Sequence, residues 1–299
     1  METIHIALSF DDDYTEHSIV LMTSILANKT DEKIHFHILD GGLSNLNKNK
    51  VFELKNCEIT FHLINKKMAV NNLFILSLAD IISVDKLIYL DTDTIVNSSL
   101  KDIGELGLDD NYIAAVEDAN GKKYAKRFRL VKGKKFFNSG VMVINCPKWR
   151  ENNISARAVE IALQNTGAML GDNQIILNQL FDGHVKFLDL KWNLQCCPIN
   201  ILTVYAQSED YKSASENPAI INYAGDFKPW KKGLGCFNPK QKEYFKYHKM
   251  TSYAFKNYEL WRILDKLMAL RGIGSFIKSY PLFFTKKLFW KNLVTNFYS

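Results

Sequence analysis

A short apolar run that ends in two acidic residues constrains the fold of this 299-residue chain more than any other stretch. Residues 86–90 read Lys-Leu-Ile-Tyr-Leu and are followed at once by Asp91, Thr92 and Asp93. An apolar run of strand length that does not alternate with polar residues is typical of a parallel strand buried on both faces. Because side chains alternate along an extended backbone, we expect Asp91 and Asp93 to point to the same side. Two aligned carboxylates at the end of a buried strand predict a site for a divalent cation with oxygen ligands.

Segments with strand and helix patterns alternate along the rest of the chain. This alternation predicts an α/β fold with a mixed, mostly parallel sheet and helices on both faces. Because the composition changes only near residue 240, we predict one domain over residues 1–238 and a helical C-terminal extension over residues 239–299. The predicted strands include residues 4–10, 33–39, 58–64, 86–90, 112–116 and 136–145, and the predicted helices include residues 44–54, 72–83, 99–106, 154–164 and 171–181.

The net charge of +6 lies entirely in the C-terminal segment. Residues 266–299 contain six of the 38 Lys and Arg residues and no acidic residue, which leaves 32 basic against 32 acidic residues in the remainder. The same segment contains eight aromatic residues. A basic and aromatic terminus predicts attachment to an anionic membrane surface, and a terminal helix packed on the body with solvated lysines is the alternative. The neutral body and the lack of a recognised binding motif argue against nucleic acid.

The cysteines and the N-terminus indicate the compartment. The five cysteines are odd in number, have no CxxC spacing and include the adjacent pair Cys196 and Cys197, a pattern that favours reduced thiols. No basic start with an apolar core marks a signal peptide, and no uncharged apolar stretch reaches about 18 residues. We therefore expect a cytoplasmic protein that is peripheral on the inner face of the cytoplasmic membrane.

Four histidines on predicted strands raise the question of a metal site. His35 and His37 are two residues apart and so share one face of a strand, but no third ligand has a suitable spacing in the sequence. We interpret this pair, together with His5 and His62, as structural histidines and predict no metal site there.

The most basic internal segment is residues 122–135, with eight Lys and Arg residues and no acidic residue. A solvated loop is the default interpretation of such a charge run. A loop over the active centre that attracts an anionic acceptor is the alternative.

Several of these segments, taken in order, match the motifs of one family. Besides Asp91 and Asp93, they are a strand ending at Ser9 and Asp11, the acidic end of the strand at Asp118, and three further motifs. These three are Phe137-Asn138-Ser139-Gly140-Val141, Asp172-Asn173-Gln174, and Asn222-Tyr223-Ala224-Gly225-Asp226-Phe227-Lys228-Pro229-Trp230.

Together these motifs resemble the family 8 retaining glycosyltransferases, in particular the bacterial enzymes that add galactose or glucose to lipopolysaccharide cores. The resemblance covers about residues 3–235. It implies a single Rossmann-like nucleotide-sugar-binding domain of the GT-A type. It also implies metal-dependent transfer of a hexose from UDP-galactose or UDP-glucose to a lipopolysaccharide, lipooligosaccharide or other surface-glycan acceptor.

The resemblance also implies roles for individual residues. It places Mn²⁺ or Mg²⁺, and through it the donor diphosphate, on Asp91 and Asp93, with Asn222 at the position of a further metal ligand. It places the donor nucleotide and its phosphates on Ser9, Asp11, Asp91, Thr92, Asp93, Gly225 and Lys228. It places the donor sugar and the catalytic step on Asp118, Asn138, Asn173 and Gln174.

Elementary chemistry supports these roles. Loss of the sugar leaves a nucleoside diphosphate with concentrated negative charge, which a divalent cation stabilises as a Lewis acid. Lys228 adds a point charge, and the backbone at Gly225 can approach phosphate because glycine has no Cβ. Gln174 is suited to stabilise an oxocarbenium-like anomeric centre. Because Gln174 is a weak nucleophile, we expect same-face attack rather than a covalent intermediate.

Three residues depart from the family pattern. Asn222 stands where the family has a metal-binding His, which predicts weaker Mn²⁺ binding or a shift toward harder, oxygen-preferring ions. Asn173 replaces an Asp, although Asp172 is adjacent, and Phe74 stands where many members have an Arg that reaches toward the donor. These departures leave open a relative that binds nucleotide-sugar or glycan without turnover.

A phosphatase of the haloacid dehalogenase type is a further alternative. Asp91-Thr92-Asp93-Thr94 fits the Asp-x-Asp-x-Thr signature of that class. The signature normally ends the first strand of the domain, whereas at least three predicted strands precede it here, and a motif counts only in its structural context.

Overall fold

A seven-stranded mixed sheet forms the centre of the part of the chain that the computed structural model describes. The described residues are 3–64, 70–130, 135–164, 172–197, 200–201, 204–205, 208–231 and 238–254. In chain order the strands are β1 (Thr3–Phe10), β2 (Lys33–Asp40), β3 (Glu58–Leu63), β4 (Lys86–Leu90), β5 (Thr94–Val96), β6 (Ile113–Glu117), β7 (Phe137–Asn145), β8 (Val185–Phe187), β9 (Leu194–Gln195) and β10 (Ile220–Asn222).

Helices lie between most of these strands. The α-helices are α1 (Thr15–Asn28), α2 (Asn45–Phe52), α3 (Leu78–Ile81), α4 (Lys101–Gly104), α5 (Gly121–Arg127), α6 (Cys146–Glu151), α7 (Ile154–Gln164), α8 (Asn173–Leu180), α9 (Glu209–Glu216) and α10 (Gln241–His248), and Val70–Ser77 and Leu190–Asn193 form 3₁₀ helices.

The large sheet has the strand order β3-β2-β1-β4-β7-β6-β8. Its pairs are parallel except that β7 runs antiparallel to both β4 and β6. The predicted mixed, mostly parallel sheet is thus confirmed. Because β7 runs in the opposite direction, its first residues lie at the same edge as the carboxyl ends of β1 and β4. That edge is where ligands bind in open α/β sheets.

The central strand β4 is buried on both faces, as its continuous apolar sequence predicts. Ile88 and Leu90 pack into the core on one face of the sheet, while Leu87 and Tyr89 pack into the core on the other. Each fully buried side chain of this size contributes about 1.5–3 kcal/mol to folding. This burial holds the end of β4, and therefore Asp91, in a defined position.

A second sheet, with the order β5-β10-β9, brings a distant segment to the same edge. Strand β10 pairs antiparallel with β5, so that Asn222 lies opposite Thr94. The backbone N–H of Tyr223 donates to the carbonyl of Asp93 at 2.9 Å. This small sheet therefore joins residues 222–228 to the turn that follows β4.

Three predicted elements differ from those in the structure. The helix expected over residues 72–83 is the 3₁₀ helix Val70–Ser77 followed by the short helix α3, and the helix expected over residues 99–106 is reduced to α4. The basic segment expected to be a loop begins as α5, with two of its basic residues in the last turn of that helix. Short apolar runs do not define helix length, because burial against the sheet determines where these segments end.

The start of the predicted C-terminal extension packs against the domain. Tyr244, Phe245 and Tyr247 of α10 are buried, and the Tyr247 hydroxyl accepts a hydrogen bond from Asn28 of α1 at 2.8 Å. The boundary at residue 238 stays a prediction. The basic and aromatic tail over residues 266–299 lies outside the described residues.

Candidate active site

Asp91 and Asp93 lie directly after β4, and neighbouring groups balance only part of the negative charge of their carboxylates. The Tyr89 hydroxyl donates to Oδ1 of Asp91 at 2.8 Å, and the Lys228 ammonium pairs with Oδ2 of Asp93. Oδ1 of Asp93 is buried and accepts no hydrogen bond from any residue that the structure describes. An unpartnered buried carboxylate oxygen is unfavourable, so this position favours a further positive partner.

The net charge of this pair and its neighbours also favours a further positive partner. Burial raises the pKa of Asp91, and the neighbouring carboxylate of Asp93 raises it further, while Tyr89 and Lys228 lower it. One ammonium group beside two carboxylates leaves net negative charge where water is largely excluded. A divalent cation would neutralise that charge and favour the ionised form of both carboxylates.

Gly140 leaves room for three polar side chains to converge. A Cβ at this position would lie 2.5 Å from Nδ2 of Asn222, 2.8 Å from Oδ2 of Asp91 and 3.1 Å from Oδ1 of Asn138. The Asp91 N–H donates to the Gly140 carbonyl at 2.8 Å, which fixes the strand β7 against the turn. The missing side chain of Gly140 is therefore what allows Asp91 and Asn222 to approach each other.

These residues fit a divalent cation of the Mn²⁺ or Mg²⁺ class. Asp91 offers Oδ2 and Asp93 offers the buried Oδ1, which has no hydrogen-bond partner among the described residues. Asn222, whose amide lies close to Asp91 Oδ2 at Gly140, can offer its oxygen after rotation of the amide about its last bond. Two carboxylates and an amide oxygen form a donor set of the kind that hard cations prefer.

A cavity of about 410 Å³ brings the ends of β1 and β4 together. Ser9, Asp11 and Thr92, which the resemblance assigns to the donor nucleotide, line it beside the two carboxylates. Phe74 also lines this cavity and is almost fully buried. One of the three residues that depart from the family pattern therefore lies at the site itself.

A second group of predicted residues forms one hydrogen-bonded network. Oδ2 of Asp118 accepts from Nδ2 of Asn138 at 3.1 Å and from Nε2 of Gln174 at 3.3 Å. Oε1 of Gln174 accepts from the Ser139 N–H at 3.0 Å. These contacts join the end of β6, the start of β7 and the first turn of α8. They also set which end of the Gln174 amide carries the oxygen.

Asn138 lies between this network and the carboxylate pair, and it also contacts Asn193, a residue that the sequence analysis missed. Oδ1 of Asn138 lies 3.4 Å from Nδ2 of Asn222 and accepts from Nδ2 of Asn193 at 2.9 Å. Asn193 is fully buried, and its Oδ1 has no hydrogen-bond partner among the described residues. No sequence spacing identifies Asn193, because the short helix Leu190–Asn193 and β9 place it at the site only in the folded chain.

Asp172 and Asn173, at the start of α8, have different structural roles. Asp172 caps the helix, since its Oδ1 accepts from the Ile175 N–H at 3.2 Å. This capping role means that Asp172 does not take over the position of the Asp that Asn173 replaces. Asn173 itself is buried in the first turn, directly before Gln174.

The segment after β10 supplies Gly225 and Lys228. Gly225 has a φ of +77°, a left-handed conformation that favours glycine. Lys228 is 9% exposed and reaches the carboxylate of Asp93. The predicted phosphate-binding lysine thus lies at the carboxylate pair, where it offsets part of the negative charge.

A larger cavity of about 960 Å³ lies beside the Asp118 network. Its wall includes Asp118, Tyr205 and Lys191, together with three lysines of the basic segment, Lys122, Lys123 and Lys135. These three lysines therefore lie at the side of the candidate site and form part of a cavity wall.

Comparisons with known proteins agree with this arrangement. A family model described as "Glycosyl transferase family 8" matches residues 5–233. General stress protein A of Bacillus subtilis is 28% identical over 84% of this chain and 95% of its own length. A putative glycosyltransferase of Haemophilus influenzae is 29% identical over 90% of this chain and 87% of its own length. The lipopolysaccharide 1,2-glucosyltransferase of Escherichia coli is 25% identical over 77% and 74% of the two chains.

Solved structures share the fold. The galactosyltransferase LgtC, in complex with donor and acceptor sugar analogs, superposes with a TM-score of 0.72 and 24% identity over 86% of this chain and all of LgtC. The bifunctional glycosyltransferase WbbM superposes with a TM-score of 0.76 and 21% identity, and this chain spans 51% of it. These neighbours confirm the predicted fold class.

The phosphatase alternative is not supported. The Asp-x-Asp-x-Thr signature follows β4 in the middle of the sheet, not the first strand of the domain. The family match over residues 5–233 includes the signature and assigns it to a different class of enzyme.

Proposed function

The chain belongs to glycosyltransferase family 8 and is a glycosyltransferase, and we propose that it moves a hexose from a UDP-sugar to a surface-glycan acceptor. The hexose is galactose or glucose, and the acceptor is a lipopolysaccharide, a lipooligosaccharide or a related glycan. The observation that carries this proposal is the convergence of Asp91, Asn138 and Asn222 at Gly140. The carboxylate pair therefore lies beside the Asp118 network, so that the diphosphate and the sugar of one donor molecule can be bound at the same time.

Asp91, Asp93 and Asn222 would hold Mn²⁺ or Mg²⁺. The bound cation supplies Lewis-acid stabilisation of the departing diphosphate. Asn222 in place of a histidine favours the harder, oxygen-preferring ions over those that bind imidazole well. Support comes from the buried Oδ1 of Asp93, which has no other partner among the described residues.

The donor nucleotide occupies the 410 Å³ cavity in this proposal. Ser9, Asp11 and Thr92 line its wall and are the residues that contact the nucleotide. The backbone at Gly225 approaches the phosphates, and Lys228 exchanges part of its contact with Asp93 for a phosphate oxygen. A lysine near both the carboxylates and the phosphates offsets part of the negative charge before and after the donor binds.

The donor sugar lies against Asp118, Asn138 and Gln174. Gln174 is oriented by Ser139 and Asp118, so that its amide dipole is held in place before the anomeric carbon gains positive charge. The bond between that carbon and the phosphate oxygen breaks, and the acceptor hydroxyl oxygen bonds to the same face. The hydroxyl proton passes to the departing phosphate oxygen. Asn173 supports Gln174 from the adjacent position of α8.

The 960 Å³ cavity is the proposed acceptor side of the site. Lys122, Lys123 and Lys135 give it positive charge, which suits an acceptor that bears phosphate or carboxylate groups. A lipopolysaccharide core is an acceptor of this class, and the relative from Escherichia coli is named for such a substrate.

We place the protein in the cytoplasm, peripheral on the inner face of the membrane. The cysteines in the described residues, Cys57, Cys146, Cys196 and Cys197, are all free thiols, which agrees with a reducing compartment. Among the described helices none has the length and apolar character needed to cross a membrane. The basic and aromatic tail would provide the attachment.

A donor screen tests the proposed reaction. Release of UDP is measured with UDP-galactose and UDP-glucose, with Mn²⁺, with Mg²⁺ and after chelation, in the presence of truncated lipopolysaccharide. We expect release with one donor, dependence on a cation, and loss in Asp91→Asn and Asp93→Asn. The matched control is Asp110→Asn, which changes an exposed carboxylate outside the candidate site and should leave the activity unchanged.

Two results would contradict the proposal. If the double variant Asp91→Asn/Asp93→Asn turned over the donor as fast as the unmodified protein, the reaction would not need a cation at these residues. Binding of UDP by calorimetry, with no donor consumed under any condition, would instead favour a relative that binds nucleotide-sugar without turnover.

A further inference from the structure

Four histidines form a cluster on one face of three adjacent parallel strands. His5 lies on β1, His35 and His37 lie on β2, and His62 lies on β3. His5 is in register with His35, and the other two histidines follow on the same face of the sheet. Sequence spacing gave no third ligand for the pair on β2, but strand pairing supplies one from each neighbouring strand.

The ring nitrogens of this cluster lie at distances close to those between metal ligands. Nδ1 of His5 is 3.0 Å from Nε2 of His37, and Nδ1 of His37 is 3.0 Å from Nε2 of His62. One ligand atom from each of His5, His35 and His37 lies within 4.8 Å of the other two. Zinc–nitrogen distances of about 2.0–2.1 Å place tetrahedral ligand atoms about 3.4 Å apart. Small ring rotations therefore bring the three nitrogens around one centre.

Metals bind the neutral imidazole through a ring nitrogen that carries no proton. The side chain of His37 is buried, and those of His5, His35 and His62 are half-buried. The carboxylate of Glu58, 3.7 Å from Nδ1 of His35, is the acidic group at the cluster.

We propose that His5, His35 and His37 form a binding site for Zn²⁺ or another divalent transition metal of the imidazole-preferring class. Nε2 of His37 and Nδ1 of His5 are the nearest pair of ligand atoms. His62 is a positioning residue, since its Nε2 lies 3.0 Å from Nδ1 of His37 and can accept the proton of that nitrogen when Nε2 of His37 binds the metal. Such a partner normally sets the tautomer and the ring orientation of a ligating histidine.

His35 completes the site after a rotation of its ring. It now stacks on His37 with 4.1 Å between ring centroids, and its Nε2 lies 2.8 Å from the Thr60 hydroxyl. Turning one nitrogen toward the metal leaves the other facing Thr60 or Glu58, either of which can hold the new orientation. The fourth coordination position is then open to water or to Glu58.

This site differs from the carboxylate pair in both place and chemistry. His5 precedes Ser9 by four residues on β1, which separates these two residues by roughly 13 Å. Carboxylate and amide oxygens select Mg²⁺ or Mn²⁺, whereas three imidazoles select Zn²⁺, Cu²⁺ or Ni²⁺. A metal on the histidine cluster would join β1 to β2 toward the amino-terminal end of β1, on the same face of the sheet as Ser9, and it does not depend on the proposed reaction.

Metal content and calorimetry test this site on the full-length chain. The protein is stripped with a chelator and titrated with Zn²⁺ in excess Mg²⁺, which occupies the carboxylate pair. We expect one equivalent of Zn²⁺ per chain and a rise of Tm on binding. We expect loss of that equivalent in His5→Ala and in His37→Ala, and affinity reduced about 10–100-fold in His62→Ala.

Two controls bear on the assignment. His184→Ala removes an exposed histidine outside the cluster and retains Zn²⁺, as does Asp91→Asn/Asp93→Asn. Should a cluster variant fail to fold, nitrogen-labelled histidines in the unmodified protein give the answer, because Zn²⁺ would shift the ring resonances of His5, His35 and His37. Failure of the unmodified protein to bind Zn²⁺, shifts confined to other histidines, or loss of binding only in the carboxylate variant would overturn the proposal in favour of a purely hydrogen-bonded imidazole cluster.

Discussion

At the scale of single residues, the candidate site depends on a side chain that is absent. Gly140 lies on β7 between the carboxylate pair and the Asp118 network, and its lack of a Cβ lets Asp91, Asn138 and Asn222 meet. Asn138 then connects the two groups through its Oδ1. We therefore predict that the proposed cation and sugar sites are coupled over a few ångströms by one glycine and one asparagine.

Gly140→Ala tests this arrangement directly. The new methyl group would stand 2.5 Å from the Asn222 amide and 2.8 Å from Asp91 Oδ2, too close for either to stay in place. Overpacking of this kind costs about 1–3 kcal/mol, which corresponds to a loss of activity of roughly 5–150-fold if the displaced groups are the ones that act. Turnover is measured as a function of cation concentration, and we expect a higher cation requirement.

Gly107→Ala is the matched control for this variant. An added Cβ at Gly107 meets only Oδ1 of Asp109, at 3.9 Å, so activity and Tm should hardly change. A Gly140→Ala enzyme with unchanged cation dependence would show that Asp91 and Asn222 do not act together.

At the scale of elements, the site is assembled where helices and strands are tied together by buried polar contacts. Asn178 of α8 accepts from the Phe137 N–H at 2.8 Å and donates to the Phe137 carbonyl at 3.0 Å. This pair of hydrogen bonds fixes the first helix turn, which carries Gln174, against the start of β7, which carries Asn138. Asn178 is thus a positioning residue that touches neither the carboxylates nor the Asp118 oxygen.

Asn178→Leu should lower both stability and turnover. The substitution leaves the N–H and the carbonyl of Phe137 buried without partners, at a cost of about 1–3 kcal/mol for each unsatisfied group. Urea denaturation measures the loss of unfolding free energy. Exposed Asn49 on α2 provides the control, since Asn49→Leu buries no polar group.

An activity readout separates positioning from general destabilisation. Well below the unfolding midpoint, we expect Asn178→Leu to lower kcat more than it raises KM for the donor, because Gln174 is displaced. Unchanged kcat in a destabilised variant would assign Asn178 a structural role alone.

The contact between α1 and the C-terminal part of the described chain gives the stability a dependence on pH. His17 stacks on Trp230 with 4.0 Å between ring centroids, and its Nδ1 lies 2.7 Å from the Tyr244 hydroxyl. Burial lowers the pKa of His17 to about 4, against an ordinary value of 6.5. The unfolded chain therefore binds a proton in a pH range where the folded chain does not.

We expect the contribution of His17 to the unfolding free energy to be complete above pH 6.5 and to fall progressively as the pH decreases from 6.5 to about 4. His17→Asn keeps a hydrogen-bonding group near the Nδ1 position and removes the titration. Urea denaturation at several pH values should show a smaller slope for this variant across that window. An identical slope would place the titration elsewhere, for example at the histidine cluster.

At the scale of the whole molecule, the two ends of β1 carry different chemistry. Its carboxyl end contributes Ser9 and Asp11 to the nucleotide cavity, and its amino-terminal half contributes His5 to the histidine cluster. We propose that one buried sheet supports an oxygen-ligand site and a nitrogen-ligand site that do not compete for the same metal. Attachment through the basic and aromatic tail stays a prediction, since the tail lies outside the described residues.

Truncation after Asp265 tests the attachment. The tail over residues 266–299 carries the whole net charge of +6, and charges of this kind bind anionic lipid surfaces at about 1 kcal/mol each. We expect the truncated protein to move from the membrane fraction to the soluble fraction. Donor hydrolysis by the truncated protein should persist, since the candidate site lies within residues 9–228.

A charge variant separates the two interpretations of the tail. Replacing Lys286, Lys287 and Lys291 by Gln keeps its apolar side chains and should release the protein partly, with strong dependence on salt. Full retention in the membrane fraction by the truncated chain would mean that the tail does not attach it.

Much of the fold and of the site followed from local patterns. The continuous apolar sequence of β4 predicted burial on both faces, and it placed Asp91 and Asp93 at the edge where the strand ends. The expectation of extended backbone from Asp91 to Asp93 is wrong, because these residues lie in a turn in which the Thr94 N–H donates to the Asp91 carbonyl. The ends of β1 and β6 lie at the same edge because these strands run in the same direction as β4, and the start of β7 lies there because β7 runs antiparallel to them. The short helices near residues 72–83 and 99–106 were not predictable, because their lengths depend on what packs against them.

The sequence alone determined which residue types stand at strand ends, and from these it predicted a site for a cation and a diphosphate. Only the tertiary structure decided which residues share a site across strands. Asn193 reaches Asn138 through a short helix that carries no signal, Lys228 meets Asp93 across 135 positions, and His5 joins His37 only because β1 pairs with β2. The physical reason is that spacing along a chain fixes the direction of side chains within one strand, while contacts between strands depend on register and burial, which the whole fold sets at once.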